Sequence, residues 1–106
     1  MDSIARITWY DWWRSPAVHA FEDEFNLRLD HANWGENFPF NRVADSPRGE
    51  KPLVNLGYLL DGRSIRDLLG DGSYGGPYQV DNALTTLLFN RVVDEAASLI
   101  RALQKP

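Results

Sequence analysis

Ile4-Ala5-Arg6-Ile7-Thr8-Trp9 decides how the fold is read. Ile4, Arg6 and Thr8 alternate with Ala5, Ile7 and Trp9, and β-branched and aromatic residues dominate, so the spacing predicts a strand. A lone strand cannot satisfy its own backbone groups. It must pair with a later strand of this sequence, with a copy of itself, or with another chain.

The segment that follows changes period. Ser15 can cap a helix, Pro16 suits its first position, and Ala17, Val18, Phe21 and Phe25 recur at helical spacing up to Asn26. Residues 27–37 read as a turn or a single helical turn, because Gly35 and Pro39 prevent anything longer. Asp45–Pro52 has loop chemistry, Leu53–Leu60 is apolar enough for a strand or buried extended segment, and Ser64–Leu69 allows one or two helical turns ended by Gly70. Gly70–Pro77 is a glycine-dense loop. Asp81 can then cap a last helix whose apolar stripe is Leu84, Leu87, Leu88, Val92, Ala96, Leu99, Ile100 and Leu103. Asn90, Arg91, Asp94, Glu95 and Arg101 lie largely opposite.

With 106 residues, 43% hydrophobic and 25% charged, the chain has the makings of one domain, residues 1–106, with a small core. No apolar run approaches the ~18 residues that cross a bilayer, and MDSIARITWY lacks the pattern of a signal peptide, so the expectation is a cytoplasmic protein. The absence of cysteine excludes disulfides, Fe–S clusters, thiolate zinc sites and cysteine nucleophiles. A net charge of -4 with scattered arginines argues against nucleic acid and anionic membranes as partners.

Chemistry has few places to sit. His19 has only Asp23 one helical turn on, which suits a surface or interface histidine. His31 follows Asp30 and precedes Trp34, Glu36 and Asn37; a near-neutral imidazole beside carboxylates suits general acid–base work, although such a pair in a loop is usually structural. The run GDGSYGG matches no phosphate-binding pattern and reads as a turn into the last helix. Trp9-Tyr10-Asp11-Trp12-Trp13 could stack a sugar, but aromatics leaving a strand more often serve core or interface.

Three stretches in this order carry a resemblance: Thr8-Trp9-Tyr10-Asp11 with Ser15-Pro16-Ala17-Val18, then His31-Ala32-Asn33-Trp34-Gly35-Glu36-Asn37, then Gly72-Ser73-Tyr74-Gly75-Gly76-Pro77 before the final helix. Together they resemble the C-terminal half of the creatininase family of amidohydrolases, which has a strand ending in Ser-Tyr-Trp-Asp, a His-Gly/Ala-Gly-x-x-Glu-Thr-Ser motif and a late Gly-x-x-Gly-x-Pro loop. The histidine-to-glutamate spacing is the most specific element.

The resemblance implies an α/β, creatininase-like layered fold, here its C-terminal portion, with a sheet completed by another chain or copy. It implies metal-dependent hydrolysis of C–N bonds in small cyclic amides or related compounds. His31 would be the catalytic histidine that passes a proton to the leaving nitrogen, and Glu36 would orient it or the local backbone. Tyr10, Trp34 and Asn37 would face the substrate: His31 is expected in a pocket with Tyr10 and Trp34 near, and His19 away from it. The sequence departs from the family at Asn37-Phe38, where Thr-Ser is usual, and at Pro39, which interrupts the following helix. The family's Glu-x-His-Gly motif and its companion ligands are also missing from this sequence. The implied zinc or manganese would therefore be held elsewhere, on a complementary metal-binding subunit or in a homo-oligomer, and the chain alone should be inactive. The rival expectation is a non-catalytic accessory or small-ligand-binding subunit.

Overall fold

The helix α1, Pro16–Phe25, begins where a capping side chain and a proline coincide. Ser15 Oγ accepts the Val18 N–H at 3.4 Å, and Pro16 fills a position whose N–H would have no partner. Asn26 ends the helix in the left-handed conformation, at φ 50°. A computed structural model describes residues 5–55 and 62–105, with Arg63 by its backbone alone.

After α1 come a short 3₁₀ turn, Trp34–Glu36, a two-residue strand β1, Glu50–Lys51, the helix α2, Gly62–Leu69, a second short strand β2, Gly76–Pro77, and the long helix α3, Asn82–Gln104. Another 3₁₀ turn, Trp12–Arg14, precedes α1 and packs against it. β1 and β2 run antiparallel, Glu50 opposite Pro77 and Lys51 opposite Gly76, and form the only ladder among the described residues. Asp81 caps α3 by accepting the Ala83 N–H at 3.0 Å. At 1.5 Å per residue α3 runs about 34 Å, well past the ten-residue α1 that packs on it.

The core lies between these two helices and the segment after α1. Val18 and Phe21 from α1, Leu29, Trp34 and Phe38 from the connecting segment, and Leu88 from α3 are all buried. Trp13, Phe25, Leu84, Leu87 and Val92 close around them. Each fully buried side chain of this size stabilises by roughly 1.5–3 kcal/mol relative to exposure. Among the described residues no helix is long and apolar enough to cross a membrane.

The opening segment differs from its expected form. Ile4 lies outside the described residues, and residues 5–9 join no ladder; Ile7 is 90% and Trp9 91% exposed. The physical reason is the one already implicit in the pattern: among the described residues no second strand lies beside it. Instead it is fastened along α3 at two points. Tyr10 Oη donates to Glu95 at 2.7 Å, and the Arg6 guanidinium donates to the carbonyls of Leu103 and Lys105. Of the apolar stretch Leu53–Leu60, residues 53–55 carry no regular element and the remainder lies outside the described residues.

Glu95, expected on the solvent side of α3, thus has a structural duty. It accepts Tyr10 Oη through one oxygen and the Ala17 N–H, at 2.9 Å, through the other, so it supplies negative charge to the start of α1. Partial burial pushes its pKa up, but hydrogen bonds from Ser15, Tyr10 and Ala17 outweigh that and hold it below the ordinary carboxylate value. Burial and the same Glu95 contact raise the Tyr10 phenol.

Candidate functional site

The turn that carries His31 is tied by its own polar side chains. Asp30 Oδ1 accepts the His31 N–H at 2.9 Å, and Glu36 Oε2 accepts the Ala32 N–H at 2.6 Å. Asn33 Oδ1 accepts the N–H groups of Asp30 and Gly35, at 3.2 and 2.8 Å. Ala32 has φ 51°, a left-handed conformation uncommon for a residue with a Cβ. Glu36 grips the amide of that residue, so its carboxylate fixes the backbone next to His31 rather than the imidazole itself.

The ring of His31 sits between two aromatics. It stacks on Trp13 with ring centroids 5.5 Å apart and planes 21° off parallel, and meets Tyr74 edge-on at 4.9 Å. The Tyr74 N–H donates to the His31 carbonyl at 3.1 Å, joining the glycine loop to the His31 turn. Among the described residues neither ring nitrogen of His31 forms a hydrogen bond, and the residue is exposed. It lines an open cleft of about 710 Å³ with Trp13, Arg28, Asp30 and Tyr74.

His19 lines the same cleft, contrary to the expectation that it stands apart. It is brought there because α1 forms one wall, and its Nδ1 lies 3.4 Å from Glu22, whose other oxygen accepts the Leu29 N–H at 2.8 Å.

The three residues expected to face a substrate are placed elsewhere. Trp34 is fully buried, stacked on Phe21 at 5.8 Å, with its indole N–H donating to the Arg28 carbonyl at 2.9 Å. A flat apolar ring with one donor is best satisfied in that position, and the 3₁₀ turn aims it inward. Tyr10 is spent on Glu95. Asn37 joins loops: its amide donates to Ser46 Oγ and the Tyr78 carbonyl, both at 3.0 Å, and its oxygen accepts Arg42 Nε at 2.7 Å. None of the three lines the His31 cleft.

Trp13, Tyr74 and Glu22 shape the cleft; Trp13 drew notice only within the aromatic run Trp9–Trp13, and Tyr74 and Glu22 were not singled out by their sequence context. The only local signal for Asn33 was that asparagine readily bonds its own backbone in turns. Its side chain also donates to the carbonyls of Arg28 and Gly75, at 3.0 and 3.2 Å, and so pins the His31 turn to the glycine loop.

No three His, Asp or Glu side chains converge on one point among the described residues. Asp30 and Glu36 direct carboxylate oxygens at backbone amides. These residues do not by themselves fit a catalytic metal, which needs about three protein ligands. Compared with protein-family models, with curated proteins and with solved structures, the chain matches none.

Proposed function

We propose that this chain is the histidine-bearing part of a metal-dependent amidohydrolase of creatininase type, acting on a C–N bond of a small cyclic amide or related compound. On this reading the metal ligands lie on a complementary subunit or another copy. The layered α/β sheet would likewise be completed there, by pairing with the residues that open the chain. The order of the three sequence motifs supports the family. The observation that carries the chemistry is His31: an exposed imidazole at an open cleft, braced on two sides by Trp13 and Tyr74, with both nitrogens free among the described residues.

The proposed role follows from that placement. Water supplies the oxygen of the new C–O bond, the C–N bond breaks, and the proton lost by water reaches the leaving nitrogen through the imidazole. A neutral histidine can accept and return a proton near neutral pH. Trp13 and Tyr74 restrict the ring's orientation, and Glu36 holds the turn beneath it. Metal, where a partner supplies it, would polarise the reacting groups.

The test is reconstitution with a partner that carries Glu-x-His-Gly, sought first in the reading frames beside this one, and assay on a panel of small cyclic amides. His31→Ala should slow turnover by roughly 10²–10⁴-fold while leaving metal content and assembly unchanged. Undiminished activity in that variant would assign the chain to the accessory, non-catalytic class. Tight stoichiometric zinc or manganese on the isolated chain would refute the placement of the ligands elsewhere.

A further inference from the structure

Lys51, on the short strand β1, sends its ammonium into a cage of three oxygens. Nζ donates to Asp71 Oδ1 and to the Ser73 carbonyl, each at 2.7 Å, and to the Leu69 carbonyl at the end of α2. An ammonium has three N–H donors, and all three are used. The side chain is only 18% exposed, unlike an ordinary surface ion pair. The cage is itself braced: Asp71 Oδ1 also accepts the Ser73 N–H at 3.0 Å, and its second oxygen accepts Tyr78 Oη. Lys51 first, then Tyr78 and the Ser73 amide, hold the Asp71 carboxyl well below the usual range. Two carbonyl dipoles and a carboxylate converging on one point repel one another unless a cation sits there.

Ser73 is buried, and its Oγ accepts the Gly75 N–H at 3.2 Å. Tyr74, between them, has its backbone fixed from both sides: its N–H donates to the His31 carbonyl and its carbonyl accepts the Val54 N–H at 2.9 Å. The ring that meets His31 edge-on is therefore set by the path of residues 69–75, and that path closes around Lys51.

We infer that Lys51 is a positioning residue: its ammonium is a tethered cation that fills an oxygen cage, closes the 69–75 loop, and thereby sets Tyr74 against His31. Its consequence for catalysis rests on the amidohydrolase reading; the geometric linkage does not. A Lys51→Met variant keeps the aliphatic stem and removes the charge from the cage.

The experiment follows the His31 and His19 ring resonances of the full chain by NMR at one fixed pH. In Lys51→Met the His31 resonances should move while those of His19 stay. Lys51→Arg should move the His31 resonances as well, because a planar guanidinium cannot aim three N–H groups at one compact cage. A folded Lys51→Met with an unchanged His31 overturns the inference; so does an arginine variant indistinguishable from the parent. If Lys51→Met does not fold, Asp71→Asn removes the anionic wall alone, and an unmoved His31 there is equally decisive against it. None of these outcomes requires turnover, so they stand apart from any failure of the hydrolase assay.

Discussion

Gly35→Ala tests how tightly the His31 turn is packed. Gly35 is buried, and a methyl group built on it would lie 1.9 Å from Leu29 Cδ1 and 2.9 Å from Leu29 Cγ. Leu29 has little room to yield: it is 6% exposed within the core cluster, and its N–H is held by Glu22. Its side chain must leave its rotamer or push the turn outward, and overpacking of this kind costs about 1–3 kcal/mol. For a domain near this size that lowers Tm by roughly 4–8 °C per kcal/mol. Leu29→Ala alone should cost about 2–5 kcal/mol through the cavity it leaves. Combined with Gly35→Ala, the new methyl enters that cavity, so the double variant should lose less than the two single losses together. Urea unfolding followed by tryptophan fluorescence measures all three. Strict additivity, or a Gly35→Ala protein as stable as the parent, would refute the contact.

Glu95→Gln should destabilise the fold near neutral pH by about 1.5–3 kcal/mol, the range for hydrogen bonds to a charged group. Because the folded pKa of Glu95 is depressed, its contribution is present above the ordinary carboxylate value and fades as pH falls through the folded one. Urea midpoints of the two proteins should therefore converge in acid, and a constant gap would contradict the assignment. Gly75→Ala should cost more than Gly35→Ala: Gly75 has φ 111°, and an added Cβ would lie 2.6 Å from both Leu53 Cα and the Pro52 carbonyl, backbone atoms that cannot turn aside. An unfolding midpoint equal to the parent's would count against that close approach.

What the sequence disclosed was local. Ser15, Pro16 and Asp81 mark helix starts by bonding or relieving amides two or three residues away, so α1 and α3 are legible without knowing what surrounds them. Gly35 was legible only in part: its pattern speaks of a broken helix, while its reason for being glycine is the Leu29 side chain packed against it. Glu95 and Trp34 were misplaced by one-dimensional reasoning. A charged residue opposite an apolar stripe looks solvated until another helix presents its N-terminus, and a tryptophan beside a histidine looks like a pocket wall until the turn carries it inward. The association of His31 with Trp13 and Tyr74 rests on partners distant in sequence, which no spacing rule reports.

The separation of α1 from α3 bears on how the chain comes off the ribosome. Residues 26–81 lie between them, yet Leu88 packs in the same cluster as Val18 and Phe21, and Glu95 reaches the first turn of α1. Closing so long a connection costs entropy before any contact repays it. During synthesis α1 emerges before α3, so its apolar face lacks that cover until residues 82–104 have followed. Quality of assembly therefore depends on whatever shields that face in the interval.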